Sequence, residues 1–129
     1  MRSPSCIEDA LVIEIADGWS AGAVTGRLLS ELGARVLKLE PSEGDRLRHI
    51  GPGANGENST SFRTLNTNKE SITLDIGADA GHQTLDALLA KCDVLLTDQT
   101  TITDRASGLD PNALADRQPH LVQCHFSPF

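Results

Sequence analysis

"GRLLSELGARVLKLEPSEGDRLR", residues 26–48, decides how this chain is read. From Ser20 to Leu32, the residues Val24, Leu28 and Leu32 recur at every fourth position and draw one apolar stripe along a helix. Ser20 is placed to accept a hydrogen bond from a free N–H of the first turn. Gly33 tolerates the left-handed backbone that ends a helix. "ARVLKLE" then reads as a short strand closing on a carboxylate, Glu40, before Pro41 turns the chain. Upstream, "ALVIEI" (10–15) is β-rich and bounded by "ADG", which suits a buried strand. Strand, helix and strand with short joins form a right-handed βαβ unit with parallel strands.

The alternation continues downstream. "ESITLDI" (70–76) sets Ile72, Leu74 and Ile76 against polar neighbours, a strand with one exposed face near a sheet edge. A helix from Asp79 to Ala90 turns Leu85, Leu88 and Leu89 inward, and "CDVLLT" (92–97) is a further buried strand. Asp110 caps a helix opened by Pro111 and stopped by Pro119, and "LVQCHF" (121–126) is the last strand. The fold class that follows is α/β: a Rossmann-like open, mostly parallel sheet with helices on both faces. Residues 41–61 are rich in glycine and proline with almost no apolar anchor, and they read as a long flexible loop.

The 129 residues make one domain with a single modest core. Hydrophobic residues at 39% and charged residues at 22% are an ordinary globular balance. A net charge of −7 argues against non-specific binding to nucleic acid or to an anionic membrane surface. Arg46, Arg48 and Arg63 lie near one loop and form a local basic pocket able to meet phosphate. No stretch reaches the roughly 20 apolar residues of a membrane helix. "MRSPSCIED" has no apolar core like that of a signal peptide. Cys6, Cys92 and Cys124 are far apart; the latter two sit in apolar surroundings and read as small buried thiols, which points to a cytoplasmic setting.

Glu40 invites comparison with the acid that grips a ribose hydroxyl in dinucleotide sites. The first turn, "DGWSAGAVTG", has glycines at 18, 22 and 26, not the G-x-G-x-x-G spacing, and Trp19 occupies the space a pyrophosphate needs. Helix–strand packing explains Gly22 and Gly26 instead. "GPGANGENS" lacks the lysine of a P-loop, and His49, His82, His120 and His125 form no pair at metal-ligand spacing. No serine or cysteine stands in a nucleophile motif. Asp17 and Asp98 fall just past strand ends, at the edge where open parallel sheets bind ligands, although a lone carboxylate there is more often a cap or turn residue.

Three stretches in order, "AGAVTGRLLSELGARVLKLEPSEGDRLR", "NTNKESITLDI" and "KCDVLLTD", resemble the N-terminal part of the class III coenzyme A transferases. That family includes formyl-CoA transferase, carnitine CoA-transferase and α-methylacyl-CoA racemase. The resemblance runs from about Cys6 to Phe129 and rests on A-G-x-x-x-x-x-L-L-x-x-L-G-A-x-V-x-K-x-E-P followed by N-x-x-K-x-S-I-x-L-D-I. It implies that strand ends cradle coenzyme A, a substrate rather than a resident cofactor. The contacts it implies are Trp19, Ser20 and Ala21 after the first strand, Leu74 after the third, Asp98 and Gln99 after the fourth, and Arg105 on a phosphate. Open N–H groups where the Ser20 helix begins favour the coenzyme's phosphates.

The departures from the pattern also carry expectations. "TDQ" (97–99) stands where the family usually has E-N-F or E-N-Y, Glu70 stands where arginine is frequent, and "AGA" replaces A-G-P. Each change is expected to lower the positive potential or the rigidity of the pocket. The family's aspartate nucleophile matches no residue here, so no catalytic residue and no metal ligand is assigned. Acyl-CoA and a carboxylic acid are the implied partners, with no nucleic acid and no membrane. Exposed apolar surface should drive self-association or packing against a second half of the protein. The alternative is a non-catalytic, degenerate transferase-like module acting in assembly.

Overall fold

The computed structural model describes residues 7–18, 20–53, 58–98 and 108–127. The elements run β1 (Leu11–Ile15), α1 (Ala21–Glu31), β2 (Arg35–Glu40), a 3-10 helix (Arg46–His49), α2 (Thr60–Leu65), β3 (Glu70–Thr73), α3 (Asp79–Leu89), β4 (Val94–Asp98), α4 (Pro111–Arg117) and β5 (Val122–Phe126). Among the described residues the strands form one five-stranded sheet in the order β3-β2-β1-β4-β5. Every adjacent pair is parallel, as the alternation of strands and helices requires. β3 lies at the edge, and it ends at Thr73 rather than reaching Ile76.

The local signals of the sequence are realised. Ser20 Oγ accepts from Ala23 N at the start of α1, and Gly33, at φ 106, stands just past its end. Asp110 accepts from Asn112 N and Ala113 N, with Pro111 opening α4. These bonds are short-range, so spacing alone reveals them.

The period of two along the strands divides the core between two faces. On one face Ile13, Ile15, Leu37, Leu39 and Leu95 meet Leu85 and Leu89 of α3 and Leu114 of α4, with Cys92 fully buried beside them. Burial pushes the Cys92 thiol up to about 11, and its Sγ donates to Val94 O, so it behaves as a small inert packing group. Cys124 is only partly buried, under the other face. On that second face Val12, Val36 and Leu96 meet Leu29 of α1. Towards the carboxyl ends of β1 and β2, however, the same face carries Glu14, Lys38 and Glu40, none more than 3% exposed.

These charges change how α1 docks. The stripe of Val24, Leu28 and Leu32 faces outward, 43%, 54% and 60% exposed, while Gly22, Ala23, Gly26 and Ser30 are buried: Gly26 over Glu14 of the sheet, Ala23 against Leu47, Phe62 and Leu65. A Cβ on Gly26 would lie 1.9 Å from Glu14 Oε2, so α1 rests directly on the carboxylate and only small residues fit beneath it. Gly22 serves the same close approach, against Ala16 and Phe126. Periodicity identified a stripe correctly but not the face on which the helix would lie.

The described residues of 41–61 include regular structure. Asp45 caps the 3-10 helix, Ser59 caps α2, and the Ser59 hydroxyl also donates to Leu47 O. Leu47, 1% exposed and flanked by two arginines, packs with Ala23, Phe62 and Leu65 in a small third cluster. One well-placed leucine provides the anchor that the composition of the segment conceals.

Candidate functional site

In the order β3-β2-β1-β4-β5 the connections diverge between β1 and β4, the switch point at which open parallel sheets have their ligand crevice, outside the carboxyl ends of those two strands. The residues after β1 form a turn, Ala16–Gly18, that leads into α1 through Ser20. Gly18 sits at φ +73, a conformation only glycine adopts cheaply, and a Cβ there would meet the Arg46 guanidinium at 3.3 Å. Ala21 and Gly22 open α1, and their N–H groups have no acceptor within the helix.

The turn is tied from several directions. Asp17 N donates to Asp98 Oδ2 (2.9 Å), which joins the exits of β1 and β4 across the crevice. Arg46 N donates to Asp17 Oδ1 (2.8 Å), and the Arg46 guanidinium pairs with the same carboxylate. Gly18 N donates to Asp45 Oδ1 (3.1 Å), and Lys38 Nζ donates to Ala16 O (2.6 Å).

Beneath the turn lies a buried, charge-balanced network. Lys38 Nζ is 3.1 Å from Glu14 Oε1 and 2.8 Å from Asp45 Oδ2, while Lys69 Nζ is 2.7 Å from Glu14 Oε2. Every one of these four side chains is at most 1% exposed. Burial acts to lower the Lys38 pKa, but Glu14 and Asp45 together outweigh it, and the net shift is upward. For Lys69 burial outweighs the attraction of Glu14, and the net shift is downward. Lys69 also donates to Ala23 O (2.9 Å), which fastens the first turns of α1.

Glu40 has no capacity left for a ribose. Arg48 holds it bidentately, Nε to Oε2 at 2.7 Å and the second amine to Oε1 at 2.6 Å, and it also accepts from Asp45 N and the Ser71 hydroxyl. Burial alone would raise its pKa; the bonds from Arg48, Ser71 and Asp45 N overcome that and hold it at about 2. Arg48 in turn stacks on Phe62, 3.8 Å from the ring centroid. Arg46 and Arg48 are therefore committed to Asp17 and Glu40. Only Arg63 of the expected basic pocket lacks an ion pair among the described residues.

Of the residues singled out in the sequence, Ser20, Ala21 and Asp98 come together at the crevice. Leu74 stands at the exit of β3, two strands away; its N–H donates to Glu40 O and its side chain packs on the apolar face. Trp19, Gln99 and Arg105 lie outside the described residues. Glu70 does not affect the pocket: it begins β3 at the opposite, amino edge of the sheet, where Arg35 binds it bidentately. Asp98 is 8% exposed, with its carboxylate engaged by Asp17 N. Sequence reasoning passed over Glu14, Lys38, Asp45 and Lys69. A charge inside otherwise apolar strands, "VIEI" and "VLKLE", was a signal for Glu14 and Lys38, and Lys38 and Lys69 are fixed positions of the two quoted motifs; Asp45 had no such signal.

Among the described residues no group of three His, Cys, Asp or Glu could hold a metal ion, and no helix is long and apolar enough to cross a membrane. The family model described as CoA-transferase family III matches residues 7–129. This chain belongs to CoA-transferase family III. The cinnamoyl-CoA:phenyllactate CoA-transferase of Clostridium sporogenes is 35% identical to it over 115 residues, 86% of this chain and 28% of that protein. The succinyl-CoA:glutarate CoA-transferase of Homo sapiens is 33% identical over 110 residues, 84% of this chain and 25% of that protein. The crystal structure of a CAIB/BAIF family protein from Brucella suis is similar with a TM-score of 0.88 at 30% identity, covering 98% of this chain and 34% of that one. The chain thus spans about a quarter to a third of the length of these family III relatives. Lys38, Glu40, Lys69 and Ser71, which stand in the stretches that carry the sequence resemblance, are members of the buried polar system under the crevice.

Proposed function

We propose that this chain is the coenzyme A-binding α/β segment of a class III CoA-transferase, a protein that moves CoA between an acyl thioester and a free carboxylate. Ser20 and Ala21, with Trp19 beside them, contact the coenzyme after β1; Asp98 and Gln99 contact it after β4; Leu74 lies along its path and Arg105 pairs with a phosphate. The acyl-aspartate chemistry of the family is assigned to no residue of this chain, so the segment binds and positions rather than reacts. The supporting observation is the amino end of α1, which opens onto the β1–β4 crevice with two N–H groups lacking helical acceptors, the arrangement that suits a diphosphate.

Calorimetric titration with coenzyme A and, separately, with NAD tests the reading, using the chain and its Ala21→Asp variant. Ala21 is exposed, and an acid in the first turn stabilises a helix, so this variant folds while repelling phosphate. Coenzyme A should bind more tightly than NAD, and Ala21→Asp should weaken it at least tenfold. Equal affinity for both ligands, or an indifferent variant, refutes the assignment. The assembly-module reading has one observation in its favour, the outward ridge of Val24, Leu28 and Leu32. Dissociation constants weaker than millimolar for both ligands would favour it.

A further inference from the structure

We infer that Lys38 and Asp45 are positioning residues for the ligand edge: the buried ion network exists to set the backbone of the Ala16–Gly18 turn. The inference rests on the coenzyme-binding reading for what the turn contacts, but not for how the turn is held.

Stability alone gives a poor account of the network. Two ammonium and two carboxylate groups are taken out of water, and balanced apolar replacements of buried ion pairs are often neutral or stabilising. Apolar replacements could not, however, bond to backbone. Asp45 Oδ1 accepts from Gly18 N, and Lys38 donates to Ala16 O, so both sides of the turn end on this pair. Buried N–H and C=O groups need partners, and a glycine free to take many conformations needs a fixed one to hold its positive φ. Glu14 holds Lys38 in place from below and reaches Lys69, which grips Ala23 O of α1. The turn and the first turns of the helix are thereby referred to one rigid point on the sheet. Asp45 also caps the 3-10 helix through Leu47 N, so the exit of β2 moves with the exit of β1.

Two charge-balanced double variants of the chain separate positioning from stability. Lys38→Met with Asp45→Asn keeps an acceptor for Gly18 N; Lys38→Met with Asp45→Leu removes it at nearly the same shape. Both leave Glu14 and Lys69 as a neutral pair, so neither strands a buried charge. Three quantities are read on each: the urea midpoint, the exchange rate of the Gly18 amide by NMR, and the coenzyme A dissociation constant. The leucine variant should exchange Gly18 at least tenfold faster than the asparagine variant and bind coenzyme A at least tenfold more weakly, whichever has the higher midpoint. Equal Gly18 exchange in the two variants overturns the inference, as does an affinity loss that merely follows the urea midpoint. Should the unaltered chain fail to bind coenzyme A, the functional reading falls. The Gly18 comparison still decides whether Asp45 sets the turn.

Discussion

The two faces of the sheet are built on different physics. Under α3 and α4 the contact is apolar throughout, leucine and isoleucine against leucine, and a helix docks there wherever its large side chains point. Under α1 the contact is ionic near the ligand edge, and the helix turns its smallest residues inward to reach a carboxylate. Both α1 and α3 carry a pair of large apolar residues four apart, Val24 and Leu28 in one and Leu85 and Leu89 in the other. What separates them is the partner: an apolar floor accepts bulk, while a buried charge demands close approach and complete pairing.

If this contrast holds, the largest effect comes from removing one charge. Glu14→Ala leaves Lys38 and Lys69 facing Asp45 alone and should cost about 4 kcal/mol of unfolding free energy in urea. On the apolar face Leu85→Ala should cost about 3 kcal/mol, by cavity formation instead. A Glu14 variant losing less than Leu85→Ala would mean that water enters the network and the contrast is overdrawn.

Gly26→Ala tests the close approach directly. The added methyl would collide with Glu14 Oε2, and overpacking of this kind should destabilise by about 2 kcal/mol, although alanine is the better helix former. A stabilised variant would show that α1 can lift from the sheet freely.

The pH dependence sharpens the comparison further. Glu40 is held at about 2 in the folded chain against an ordinary 4.5, so its contribution is present above pH 4.5 and is lost as the pH falls towards 2. The shift corresponds to roughly 3 kcal/mol at most, part of which the unfolded chain's own interactions offset. Urea titrations of the chain and of Glu40→Gln across that range should converge at low pH, and parallel curves would contradict the assignment.

The smallest effect on stability, within about 0.5 kcal/mol, is expected for Leu28→Glu on the outward ridge. Light scattering at high concentration should nonetheless show less self-association than for the unaltered chain, because the ridge exposes three large apolar side chains in a row. A chain that is already monomeric would leave the ridge without that role.

Much of the fold was legible because its signals are local. Ser20, Gly33, Asp110 and Pro111 mark helix ends through bonds spanning a few residues, and the strand–helix alternation implies parallel pairing. Asp17 and Asp98 were placed correctly at the carboxyl edge, since strand direction alone puts them there. The pairings that give the site its character were not legible. Lys38 reaches Glu14 across 24 positions of sequence, and Lys69 reaches Ala23 across 46. Arg48 looked like a phosphate ligand until Glu40 and Phe62 were seen to claim it, and Glu70 looked like a pocket residue until register put it at the opposite edge.

By itself, then, the sequence determined the succession of strands, the helices α1, α3 and α4, the caps of α1 and α4, the parallel sheet and the family, but not the 3-10 helix or α2. The tertiary structure decided which side of α1 meets the sheet, which arginines remain available to a ligand, and what Glu40 holds. The reason is physical: propensity and capping depend on neighbours along the chain, whereas burying a charge depends on finding its counter-charge, and only strand register and helix docking determine where that lies.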